Sequence, residues 1–166
     1  MLDSSDVQFA CNDARLRNAA IVDLIHQGDR HALALLQFYI AVASAAISSA
    51  AAIYVTAAPI PKVFAWVPIG IAVPLVGGAY CCFVSMWSAD IHLPGRSADF
   101  WIWAMRPDIE TKAVYQAYLE RLLEGQTTNT TLNKRMSTWL DYAKRCGVLA
   151  PFCGLISLLV AMVARL

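Results

Sequence analysis

Charged side chains are scarce in this sequence, at 15% of residues, where soluble domains carry about 25%. The scarcity is concentrated. Residues 32–61, 63–89 and 146–164 contain no Asp, Glu, Lys or Arg. A hydrocarbon core of about 30 Å takes about 20 helical residues. The first two runs exceed that length and the third just meets it. Peptide groups cannot stay unpaired in hydrocarbon, so each run is expected to be a helix. A soluble bundle would have to cover three such helices with the remainder of a 166-residue chain, which is too little material.

Chemistry-bearing patterns are also missing. The five cysteines (Cys11, Cys81, Cys82, Cys146 and Cys153) form no CxxC pair. They are expected to fill space as small apolar groups. His26, His31 and His92 have no second ligand at HxxxH or HExxH spacing, and no GxSxG, phosphate loop or glycine-rich dinucleotide turn occurs. No catalytic residue, metal site or cofactor is therefore assigned. No charge falls inside a span, which argues against ion-coupled transport and intramembrane hydrolysis. The net charge of +1 gives no bulk basic signal, so no nucleic acid is expected as a partner. Residues 1–31 hold five aspartates, unlike the basic start and apolar core of a secretory signal. The first apolar run is thus expected to stay in the membrane.

The cations that are present set an orientation. Arg15, Arg17 and Arg30 precede the first run, and only Lys62 lies between the first and second. Arg96, Arg106, Lys112, Arg121, Lys134, Arg135, Lys144 and Arg145 lie between the second and third, and only Arg165 follows. Lys and Arg accumulate on the cytoplasmic side. A split of eleven against two favours a multi-pass protein of the cell inner (plasma) membrane, with its N-terminus cytoplasmic and its C-terminus outside. Asn129-Thr130-Thr131 matches a glycosylation acceptor, but this topology places it in the cytoplasm as a chance match.

The expected fold is all-α. Residues 1–30 form an N-terminal cytoplasmic helix, on which Phe9, Leu16, Ala20 and Leu24 share a face and which Gly28-Asp29 ends. Residues 31–89 form a two-span hairpin closed at Ala57-Ala58-Pro59-Ile60-Pro61-Lys62. Residues 90–145 form a cytoplasmic helical hairpin, and residues 146–166 form the third span. In that cytoplasmic region, residues 100–105 (FWIWAM) are apolar on all sides and too short to span. They lie in the interface or against the hairpin. Pro107 and Asp108 open an amphipathic helix with Val114, Tyr115, Tyr118, Leu119 and Leu122 in one stripe and Glu110, Gln116, Glu120, Arg121 and Glu124 opposite. Residues 125–129 form a turn. The next helix carries Leu132, Met136, Trp139, Ala143 and Cys146 at coiled-coil spacing and continues unbroken into the last span.

Span one is rich in small residues. Ala41, Ala45 and Ser49 recur on one line, and Ser44, Ser48 and Ala52 on another. Small side chains let membrane helices approach closely, so these six are the expected oligomer interface or pore lining. Pro68, Pro74, Gly77, Gly78 and Pro151 are candidate gating kinks, since a proline inside a helix removes a hydrogen bond. Arg106, Lys134, Arg135, Lys144 and Arg145 are candidates for an anionic ligand or a lipid headgroup. Ordinary flanking charge explains them equally well.

Three features carry a resemblance: Gly28-Asp29-Arg30-His31-Ala32-Leu33 entering a small-residue span, a close two-span hairpin, and Tyr115-Gln116-Ala117-Tyr118-Leu119-Glu120-Arg121-Leu122 before a helix that runs through Tyr142-Ala143-Lys144-Arg145 into the last span. In this order of parts the chain is similar to the small membrane effectors of bacterial antiphage nucleotide signalling, the Pycsar transmembrane and SLATT-type effectors. The resemblance implies a homo-oligomer that contacts membrane lipid and permeabilises the membrane when a cyclic nucleotide or a cytoplasmic sensor protein signals infection. The segment before span one is too short for a separate nucleotide-sensing domain. Sensing would therefore fall to the cytoplasmic hairpin or to another protein. The alternative is a structural or accessory subunit of a larger membrane complex, with an enzyme or transporter ranked third.

Overall fold

The computed structural model describes residues 4–56, 60–87 and 91–165. Its order is α1 (Ser4–Val55), a 3-10 turn (Lys62–Ala65), α2 (Trp66–Ser85), α3 (Ala98–Ala104) and α4 (Thr111–Val163). No strand occurs among the described residues. Three of the helices are long and apolar enough to cross a membrane. Residues 57–59 of the expected hairpin turn lie outside the described residues.

Two expected breaks are absent. Gly28-Asp29 lies inside α1, and residues 125–129 lie inside α4. The cytoplasmic pair of helices with a turn at 125–129 is therefore corrected. Between Ile91 and Arg135 the chain instead forms an irregular stretch, α3, a second irregular stretch and the first part of α4. The reason is energetic. One interior glycine costs a helix about 1 kcal/mol, and neither site has a proline. At Gly28 the end of the Met136 side chain from α4 lies where a side chain would start, 2.7 Å from the position of an added Cβ. At the other site Thr127 and Thr131 turn their hydroxyls back onto the Leu123 and Thr127 carbonyls, both at 2.9 Å. α4 also begins at Thr111, after Pro107 and Asp108.

Five buried residues of α1 recur every seven positions, Cys11, Asn18, Ile25, Ala32 and Tyr39, and Val22, Ala43 and Ala50 lie on a second line four residues along. In α4, Leu122, Asn129, Met136, Ala143 and Ala150 recur in the same way, with Leu140 and Ala161 on a second line. A strict seven-residue seam is the pattern of helices coiled around one another. Met136 and Ala143 belong to the expected stripe, and the seam extends well beyond it in both directions. The expected α1 face is corrected: Phe9, Leu16, Ala20 and Leu24 are all exposed. Asp13 and Gln27 interrupt that face, whereas the buried line beside it carries only uncharged groups.

The chain divides into two compact units. The first comprises Met1–Gln27 and Ser88–Arg135. Within it α1 and α4 run parallel, since Gln8 meets Tyr115, Gln126 meets Ala14 and Asn18 meets Asn129. α3 lies against α4, with Phe100 and Trp101 each 6.3 Å from the Tyr118 ring. Residues 100–104 of the apolar segment are thus helical and touch α4, while Trp101, Ile102 and Met105 stay exposed.

The second unit comprises Gly28–Trp87 and Met136–Leu166. Its core is Tyr39 and Ala43 from α1, Ala72, Leu75 and Cys82 from α2, and Ala143 and Ala150 from α4. Most of these side chains are small. Helix association without a hydrophobic driving force depends on such close approach. α2 runs antiparallel to α4: Gly70 faces Ser157, Ile71 faces Gly154 and Gly78 faces Cys146.

Candidate functional site

The small residues of span one divide from the core of the second unit. Ala41, Ser44, Ala45, Ser48, Ser49 and Ala52 are all exposed. The α1 residues buried there are Tyr39, Ala43 and Ala50. The six therefore lie on a face that the chain leaves free. Ser49 turns its hydroxyl onto the Ala45 carbonyl at 2.8 Å. Among the described residues, the Ser44 and Ser48 hydroxyls have no hydrogen-bond partner.

The candidate kinks separate into different roles. Pro68 is the third residue of α2. The N–H groups of a first turn have no helical partner, so proline there removes nothing. Pro74 and Pro151 are interior, and their helices continue through them. Gly78 is a contact point. The Tyr39 ring lies between it and Gly147, where added Cβ atoms would sit 2.7 Å from Cε2 and 2.4 Å from Oη. The same hydroxyl donates to the Ala143 carbonyl at 2.9 Å. Tyr39 thus binds all three helices of this unit and needs a glycine on either side. Gly77 faces more open space: a Cβ added there would have Cys146 Sγ, 3.9 Å away, as its nearest neighbour.

The five candidate anion-binding cations are exposed and line neither of the two main cavities. Lys144 pairs with Asp141 at 3.5 Å, and Arg145 lies 5.7 Å from the Tyr142 ring centroid. Among the described residues no three His, Cys, Asp or Glu side chains group as a metal site.

A different polar centre lies in the first unit. Asn18 and Asn129 are 1% and 0% exposed, and both occupy the seven-residue seam. Asn129 Nδ2 donates to Asn18 Oδ1 at 3.1 Å and to the His92 carbonyl at 2.8 Å. Its Oδ1 accepts the His92 N–H at 3.0 Å. One carboxamide thus serves both backbone groups of His92 and fixes the connection before α3. A buried asparagine in a coiled-coil seam sets register at some cost in stability. With its side chain committed in this way, the Asn129 glycosylation match is not available for modification.

Beside this network is a cavity of about 330 Å³, lined by Asn18, His92, Arg96, Tyr118, Arg121 and Gly125 among others. The Arg96 guanidinium donates to the Ala117 carbonyl and lies 4.3 Å from the Phe100 ring centroid. Its Nε is buried without a hydrogen-bond partner. Burial, and next the charge of Arg121, lower the Arg96 pKa from its ordinary value, against opposing pulls from Tyr118 and Glu124. Arg121 is bound to Glu124 on the exposed side.

Tyr118 also lines a second, more apolar cavity of about 490 Å³, with Cys11, Arg15, Trp101 and Tyr115. Burial pushes the Cys11 thiol pKa up, which keeps it protonated and unreactive.

Sequence reasoning missed Asn18, His92, Arg96, Arg121 and Asn129 as a group. One signal was present: Asn129 lies two heptads before Ala143, so extending the stripe backward reaches it. The chain matches no protein-family model, no curated protein and no solved structure.

Proposed function

We propose that the chain is a self-associating membrane effector whose copies meet through the free face of α1 and perturb or permeabilise the inner membrane. The observation that carries this reading is the state of that face. Six small residues are exposed on an apolar helix, and the Ser44 and Ser48 hydroxyls among them have no partner. In hydrocarbon neither hydroxyl can turn to water, and its acceptors are a carbonyl of its own helix, as Ser49 uses, or a group on a neighbouring helix. A second copy presenting the same face would supply both close backbone approach and such acceptors. Such interhelical bonds contribute about 0.6–2 kcal/mol each. Phe9, Leu16 and Leu24 add exposed apolar surface on the same helix outside its charge-free run, at 76%, 58% and 52% exposure.

The distribution of cations supports placing the N-terminus in the cytoplasm and the C-terminus outside. The order of parts supports the effector role through its likeness to the antiphage membrane effectors. The exposed face would equally suit a different protein in a larger complex, and purification separates the two. A defined homo-oligomer in mild detergent that makes liposomes leak dye supports the effector. A monomer that leaves liposomes intact supports the accessory subunit. Ser48→Leu is expected to shift the oligomer to monomer by widening helix separation, while the chain stays helical. Unchanged oligomer size in light scattering would contradict the α1 face as the contact.

A further inference from the structure

The geometry points to the cavity between Arg96, Arg121 and Asn18 as a binding site for a phosphate-type oxyanion. The cavity lies within one unit of the chain, and its chemistry is the same whether or not copies associate. Its volume of about 330 Å³ falls at the lower end of ligand pockets, about 300–1,000 Å³. It is lined by two guanidinium groups, and among the described residues no Asp or Glu lines it. Glu124 is bound to Arg121 outside the lining. Arg96 has a carbonyl and a ring for partners rather than an anion. A partly buried cation without a counter-ion is costly, and a ligand anion would remove that cost.

The uncharged groups match the same ligand. Asn18 is 1% exposed and lines the cavity. Its Oδ1 is taken by Asn129, while its Nδ2 lies 3.6 Å from the position a Cβ would take on Gly125. A Cβ there would also sit 3.3 Å from His92 Cβ, so glycine lets His92 and the Asn18 amide close on this side of the cavity. Planar guanidinium groups and fixed amide donors are the groups that recognise phosphate oxygens. The oxyanion can come from a free phosphomonoester or from a phospholipid headgroup. The chemistry of recognition is the same for both.

The test uses the full chain in dodecyl maltoside micelles. Inorganic phosphate is titrated calorimetrically at constant ionic strength against chloride, and phosphatidylglycerol retention is followed by native mass spectrometry. Arg96→Gln and Arg121→Gln are each expected to weaken phosphate binding by about tenfold or more. Arg17→Gln, an exposed cation of the same unit outside the cavity lining, should leave it unchanged. Arg121 is 44% exposed, so its variant keeps the test valid if Arg96→Gln unfolds the unit. Saturable phosphate binding that follows this pattern identifies a free phosphate source. Phosphatidylglycerol retention with the same arginine dependence, and no phosphate binding, identifies a headgroup source. If neither ligand responds to Arg96→Gln or Arg121→Gln, the inference is overturned.

Discussion

Alanine at Gly78 lowers the melting temperature of the detergent-solubilised chain by about 5–10 °C, while alanine at the adjacent Gly77 leaves it unchanged or raises it slightly. The opposite outcomes follow from one residue of helical rotation. A Cβ at Gly78 would sit 2.7 Å from Tyr39 Cε2 and 3.1 Å from Cys146 Cβ. The ring cannot retreat, because Gly147 lies on its other side and its hydroxyl is bound to the Ala143 carbonyl. Overpacking of this kind costs about 1–3 kcal/mol. At Gly77 the nearest atom is Cys146 Sγ at 3.9 Å, an ordinary contact. Alanine there reduces the freedom of the unfolded chain, a gain of about 0.4–1 kcal/mol. Equal effects at the two positions would show that Tyr39 is not confined as described.

Leucine at Asn129 releases the connection before α3. The substitution removes the partners of the His92 N–H, the His92 carbonyl and Asn18 Oδ1 together. Each buried polar group left unpaired costs about 1–3 kcal/mol. Hydrogen exchange at the His92 amide should speed up by about a hundredfold, since about 3 kcal/mol of local protection is lost. Thr127→Ala is the control. It deletes one exposed bond to the Leu123 carbonyl and should leave exchange at His92 nearly unchanged. If Asn129→Leu leaves the His92 amide protected, the carboxamide does not hold that segment.

The contrast between these sites explains what was legible in the sequence. The three charge-free runs announce three apolar helices, because absence of charge over about 20 residues is a property of composition alone. Residues 132–146 announce their seam because apolar side chains recur on it. Gly28 and residues 125–129 mislead for a common reason. Glycine, threonine and asparagine favour turns locally, and here tertiary contacts reverse that preference: Met136 against Gly28, and His92 with Asn18 around Asn129. The α1 face was misjudged because Phe9, Leu16 and Leu24 are large and apolar, yet the helix buries Cys11, Asn18 and Val22 instead. The Arg96 and Arg121 cavity was not legible at all. It exists because Asn129 fixes the backbone at His92, four residues before Arg96, and no local pattern encodes that long-range bond.

If lipid surrounds the charge-free stretches of α1, α2 and α4, alkaline carbonate will not extract the full chain from the membranes of cells producing it. The chain is expected to stay in the membrane pellet through carbonate and to enter the supernatant only when detergent is added. Recovery of the chain in the carbonate supernatant, or in the soluble fraction before it, would contradict that placement.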